Sequence, residues 1–220
     1  GSKEMYSHVE DSLFSLGEWT ECNNLIEVVD DLERPCKVID VGANIGACAW
    51  AFAARGHDVV AFEPDPKNFA MLQASLRIPG APRTLELRNE AAWDGQGVLR
   101  FASAGAQSRV IAALVTTTAG STGAAGKSAR GDPPTVEVRA LRLDDAVSEA
   151  CALKIDTEGS DFRVLRGAQR LLASSLRAVD FEFDPSVLRD RGEDPEALLR
   201  MLQGLGFTIW DAPDTLAAAR

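Results

Sequence analysis

The 220-residue chain is 45% hydrophobic and carries a formal charge of -10, which allows one substantial core; two domains of comparable size would each be too small. That acidity repels a polyphosphate backbone, so nucleic acid is not an expected partner. The longest apolar stretches, such as Ala47 to Ala54, fall far short of the roughly 20 residues a bilayer span needs, which points to a soluble protein with no membrane partner.

Residues 1–35 read as an N-terminal helical cap or lid, with Tyr6 and His8 in an exposed polar stretch that could cover a substrate. Within that segment Leu25, Ile26, Val29 and Leu32 recur at helical spacing, and Pro35 stops the run before an apolar strand, Lys37 to Val41. A glycine-rich turn follows, then a helix over Ala47 to Arg55 and a strand over Asp58 to Phe62. Lys67 to Leu76 predicts a helix and Thr84 to Leu87 a third strand. The rhythm then breaks: Val98 to Phe101 and Val136 to Val138 alternate as antiparallel strands, and residues 104–134 between them, rich in Gly, Ala, Ser and Thr, predict a flexible insertion. Leu153 to Asp156 resumes the strand pattern, and Phe162, Leu165, Ala168, Leu171 and Leu172 mark the buried stripe of one helix. Ala178 to Phe183, Glu196 to Leu205 and Phe207 to Trp210 add a strand, a helix and a strand. Such alternation requires an α/β, doubly wound, mainly parallel sheet with helices on both faces, here with an antiparallel hairpin insertion, in a single domain over 1–220.

Four cysteines, Cys22, Cys36, Cys48 and Cys151, show no close spacing and read as small core residues in a reducing, cytoplasmic compartment. With His8 and His57 the only histidines and no Cys-x-x-Cys, neither a zinc site nor a histidine-based triad has its parts. Trp19, Trp50, Trp93 and Trp210 read as core or edge packing. Gly123 to Ser128 imitates a phosphate loop, yet position 121 is Ser and no apolar strand leads into it, so it reads as a plain loop.

In Val38 to Gly46 a buried strand runs straight into glycines and a helix, so a ligand can approach bare backbone amides at a helix N-terminus. Gly42 and Gly46 let the chain pass close to the ligand, Asn44 shapes the turn, and Asp40 could accept from loop amides or from a cofactor amino group. Glu63 closes the second strand about 20 residues on, where a carboxylate can take both hydroxyls of a ribose. A dinucleotide loop wants glycine where Asn44 stands, to admit pyrophosphate, so a nucleoside cofactor without a diphosphate fits better.

With Val38 to Gly46, Phe62 to Asp65, Asn89 to Ala92, Leu141 to Asp144, Lys154 to Gly159 and Val164 to Ala168 in this order, the chain resembles the FkbM family of methyltransferases over roughly residues 36 to 183. The resemblance implies a class I fold, S-adenosyl-L-methionine as methyl donor, and a hydroxyl of a small molecule or sugar as acceptor. It also implies that Asn89, Glu90 and Ala91 border the adenine. The residues from Thr215 leave little room for the seventh, antiparallel strand usual in that class.

Asp156 and Glu158 follow one strand and Glu182 with Asp184 ends the next, so these carboxylates should converge at the edge where open α/β sheets bind ligands. Asp156, Glu158 and Glu182 are the candidate catalytic groups, with Asp156 as base or acceptor-orienting group. Their competing role is a hard-cation site, for which Mg²⁺ would suit the oxygen ligands, and Asp156 and Glu158 could instead serve as helix N-terminal caps. No metal ligand is singled out. Lys154 should lay its stem over apolar surface and keep its amine wet. Two other functions remain open on these residues: an NAD-dependent oxidoreductase or epimerase on the same glycine turn, and a non-catalytic cofactor-binding domain.

Overall fold

A computed structural model describes residues 20–32, 36–77, 79–102, 109–115, 135–212 and 215–219. The readings placed on Tyr6, His8, Trp19 and the 123–128 loop lie outside them.

Strand β1 (Lys37–Val41) follows helix α1 (Thr20–Asp30); α2 (Ala47–Ala54), β2 (Asp58–Phe62), α3 (Pro66–Ser75) and β3 (Leu85–Arg88) continue the alternation. After β4 (Ala91–Ala92), β5 (Gly97–Ala102), β6 (Arg109–Val115), β7 (Thr135–Leu141) and the single-turn α4 (Leu143–Ala146), strand β8 (Ala152–Ile155) returns to the main sheet. Helices α5 (Asp161–Arg166) and α6 (Gln169–Ser174), strand β9 (Ala178–Phe181), helices α7 (Pro185–Asp190) and α8 (Pro195–Gly204), and strands β10 (Thr208–Ala212) and β11 (Thr215–Ala219) complete the described order. Three helices start on the dipeptide Asp-Pro: Asp65, Asp184 and Asp194 each accept from an amide of the first turn. The following proline supplies its fixed φ where no amide is needed.

The main sheet has seven strands in the order β10-β11-β9-β8-β1-β2-β3. The five strands from β9 to β3 are parallel, while β11 runs antiparallel between β9 and β10. The shortage of room expected for a seventh strand is therefore corrected: the five residues of β11 suffice because Leu216 to Ala219 pair with the short β9.

Alternation along the strands builds both faces of the sheet. Val38, Val59 and Ala61 pack with Leu25, Val29, Phe52 and Leu72 on one side. Ile39, Val41, Val60 and Phe62 pack with Leu165, Leu171 and Leu202 on the other. The fold is thus doubly wound.

Three expectations change. The expected antiparallel pair is present as β5 and β7, but it belongs to a second sheet, β4-β7-β5-β6, in which part of the expected flexible insertion, Arg109–Val115, pairs antiparallel with β5. The expected single helix after Asp161 is two short helices that break at Gly167, where a side chain would collide with the Trp93 carbonyl. Cys36 and Cys151 are disulfide-bonded with their Cα atoms 5.8 Å apart, so the four cysteines are not all unpaired. Parallel β1 and β8 bring them together across a sequence separation of 115 residues; Cys22 and Cys48 are free and buried. Asp184 serves as the N-cap of α7 and faces solvent, yet it still stands beside Glu182, so these acids do converge.

Candidate active site

Sheet register sets the first row of the site. Val41 pairs with Phe62 on one side and Ile155 on the other, and Ile155 pairs with Phe181. The residues that leave these strands, Gly42, Glu63, Asp156 and Glu182, therefore emerge along one edge of the sheet, where crossover loops turn away and open a crevice.

A cleft of about 640 Å³ opens on this edge, with Gly42, Asn44, Glu63, Glu90, Ala91 and Asp156 in its walls. Trp93, Phe101, Thr157 and Glu158 extend it toward the second sheet. Of the residues singled out from sequence, Asp40, Gly46, Asn89 and Glu182 do not line this cleft. Asp40 is fully buried beneath the glycine loop, Gly46 packs on Leu72, and Asn89 donates its side-chain amide to the Glu63 carbonyl at 2.8 Å.

The amides of the glycine turn are not bare. Those of Gly42 and Ala43 both donate to the Phe62 carbonyl at 3.0 Å, and that of Asn44 donates to Glu63 Oε2 at 2.8 Å. Gly42, Asn44 and Gly46 all hold left-handed backbone, with φ of 76°, 52° and 99°. A tight turn of left-handed residues folds the amides back onto β2. The turn contributes shape and closeness instead of open donors.

Glu63 is 4% exposed and accepts a second amide, that of Asp65, at 2.7 Å. Burial raises its carboxyl to about 7, against the opposing pull of the Asp65 and Asn44 amides. A buried carboxylate aimed at a cleft and held by two amides is oriented for ligand hydroxyls.

Behind the loop lies a pair that sequence reasoning missed. Lys154 is 5% exposed, and its Nζ sits 3.5 Å from Asp40 Oδ1, 3.5 Å from Asp156 Oδ2 and 3.4 Å from the Gly42 carbonyl. The expectation of a wet lysine amine is thereby corrected. Burial works against the ammonium, yet Asp40 beside it outweighs that and holds Lys154 above the ordinary lysine value. At Asp40 burial pushes the carboxyl up while Lys154 pulls it down. Lys154 donates to Asp156 and to the Gly42 carbonyl, while Asp40, whose oxygens make no hydrogen bond, is held by charge alone. The only signal in sequence was the matching place of Asp40 and Lys154 on strands that turned out to be neighbours.

A second cavity of about 820 Å³ adjoins the first and is lined by Glu158, Asp161, Glu182, Asp184, Asp190 and Arg191, with apolar residues of α7. Glu158 belongs to both cavities and has left-handed backbone with φ 54°. Arg191 Nη2 donates to its carbonyl at 2.8 Å. Glu182 stands on the rim; partial desolvation, then repulsion from Asp156, Glu158 and Asp184, raises its carboxyl. Among the described residues no group of three or more His, Cys, Asp and Glu side chains is arranged to hold a metal ion, so the Mg²⁺ expectation gains no support. Trp93 packs at the edge of the second sheet's core, as expected, and also lines the cleft, with Arg163 set over its ring at 5.8 Å.

Comparison with known proteins gives the same fold. Residues 40–209 match the family model described as the methyltransferase FkbM domain. The crystal structure of methyltransferase FkbM from Methylobacillus flagellatus KT is 17% identical, with a TM-score of 0.53, over 87% of this chain and 45% of that one. This chain therefore spans less than half the length of that relative. Magnesium protoporphyrin IX methyltransferase from Synechocystis PCC 6803, solved with bound SAH, is 12% identical with a TM-score of 0.52 over 96% of this chain and 86% of that one. A putative rRNA-methylase from Clostridium thermocellum is 10% identical with a TM-score of 0.51, over 91% and 95%. At these identities the likeness is one of fold, the Rossmann-like class I architecture. No curated protein matches the sequence.

Proposed function

The chain belongs to the FkbM methyltransferase family, and from that premise we propose that it carries the methyl group of S-adenosyl-L-methionine to a hydroxyl of a small molecule or sugar. The observation that carries this reading is Glu63, buried at the mouth of β2 with both carboxylate oxygens oriented by amides, beside a loop whose glycine leaves no room for a side chain. In this reading Glu63 would take the ribose hydroxyls, Glu90 and Ala91 would border the adenine, and Gly42 with Asn44 would flank the amino-acid portion; all five line the cleft.

When bound, S-adenosylmethionine supplies a methyl carbon activated by a sulfonium. The chain's own part would be to hold the acceptor hydroxyl in line with that carbon and to take up its proton on a carboxylate. Alignment supplies much of the rate of such an in-line displacement. Asp156, at the cleft wall and 3.5 Å from Lys154, is placed to orient the hydroxyl. Glu182, whose carboxyl is raised, matches a proton acceptor better than an ordinary carboxylate does. Glu158, in the wall common to both cavities, would guide the acceptor between them.

The charge of -10 supports a small-molecule acceptor over nucleic acid. We read the chain as one domain over 1–220, in which α1 sets Cys22, Leu25, Ile26 and Val29 into the core with Val38 and Phe52. Among the described residues no helix is long and apolar enough to cross a membrane.

Isothermal titration tests the proposal. Micromolar binding of adenosylmethionine, lost in Glu63→Ala, is expected; a wild-type chain that binds none overturns it.

A further inference from the structure

The second cavity is chemically lopsided. Five carboxylates, Glu158, Asp161, Glu182, Asp184 and Asp190, line it against one guanidinium, Arg191. That guanidinium is committed to the backbone, since it donates to the Glu158 carbonyl at 2.8 Å, and to Ser160 Oγ at 3.3 Å. Asp184 Oδ1 is likewise committed to the first turn of α7.

Asp161 is the unusual member. It is 2% exposed, and Thr157 Oγ1 donates to its Oδ2 at 3.0 Å, yet its Oδ1 has no hydrogen-bond partner. Desolvation, with repulsion from Glu182 and Asp156, raises this carboxyl to about 7. A buried carboxylate with an unanswered oxygen costs stability wherever it is charged. It is retained at the wall of an acidic cavity that meets the cofactor cleft at Glu158.

We propose that this cavity binds an ammonium group on the methyl acceptor, so that the acceptor class is an amino-bearing polyol such as an amino sugar. The inference rests on the methyltransferase reading and specifies its substrate. An ammonium brings three donors and a positive charge, which the unpartnered Asp161 oxygen and the neighbouring Asp190 carboxylate can accept. The shared wall at Glu158 then leaves the rest of the acceptor, with its hydroxyl, in the cleft beside Asp156. A metal ion is the weaker occupant, because the described carboxylates form no group arranged for one.

The test uses the full chain saturated with adenosylhomocysteine, titrated at pH 7 with glucosamine, N-acetylglucosamine and glucose in turn and read by ligand-observed NMR. Glucosamine should bind about tenfold tighter than either neutral sugar, the effect of one charge-assisted contact. Asp161→Asn should remove most of that preference and leave adenosylhomocysteine affinity unchanged. Because Asp161 is buried, the exposed Asp190→Asn is the second variant and should weaken glucosamine alone by a few-fold. Equal binding of the three sugars, or binding of none, overturns the inference while leaving the methyltransferase reading intact. Failure of adenosylhomocysteine itself to bind removes that reading instead. Thermal stabilisation by Mg²⁺ that Asp161→Asn abolishes would assign the cavity to a metal and overturn the ammonium.

Discussion

The carbonyl oxygen of Asp156 occupies the space that a side chain on Gly42 would need. The cofactor loop and the acid that follows β8 are thereby packed backbone against backbone, held also by the Asp156 amide donating to the Val41 carbonyl at 3.0 Å. Gly42→Ala meets both that collision and a φ of +76°. It should cost on the order of 3 kcal/mol or more and abolish adenosylmethionine binding. Denaturant unfolding and titration calorimetry on the same preparation check the two effects together.

Glu63 should make cofactor binding depend on pH. Its carboxyl is raised to about 7 by burial, and ribose hydroxyls donate more strongly to the ionised form. Affinity should rise through pH 7, weakening by up to about tenfold from pH 8 to pH 6. Glu63→Gln should bind weakly at every pH, with a flat profile. A wild-type profile that is flat over this range would contradict the assigned role.

Asp161 should lower stability above its own titration. Since its carboxyl rises from 3.8 to about 7 on folding, its contribution is fully present below pH ~4 and is lost as pH climbs to about 7. Asp161→Asn removes the titration. The variant should be more stable than wild type by an amount that grows between pH 4 and 7 and levels off there, on the order of 4 kcal/mol. Thermal unfolding across that range measures it, and a difference independent of pH would sink the account.

Lys154→Met should destabilise the chain by about 3–5 kcal/mol, because it leaves the Asp40 carboxylate buried without its charge partner. Adding Asp40→Leu should recover much of the loss, since an apolar pair of similar size carries no desolvation cost. A double-mutant cycle in urea reads the coupling. Additive losses at the two sites would show that they do not act as a pair.

Much of the site was legible because it obeys local rules. Gly42, Asn44 and Gly46 announce a left-handed turn by residue type, and Glu63 is found by its spacing from that turn. The main strands declared themselves by apolar runs, whereas the Asp-Pro start of α7 went unread. What stayed hidden depends on strand order. The disulfide of Cys36 with Cys151 and the pairing of Asp40 with Lys154 both need β1 beside β8, which no local pattern reveals. Strand β6 was hidden by the bland segment around it, and β11 by its shortness. The acidic cavity escaped notice because Asp161 looked like an ordinary first-turn helix residue, and its missing partner is visible only in three dimensions.

Glu158 is a partition with ligand space on both sides and a guanidinium from α7 fastened to its carbonyl. Arg191, at the end of α7, also donates to Ser160 Oγ, so that helix and the wall of the nucleotide cleft are tied to each other at two points and cannot shift independently.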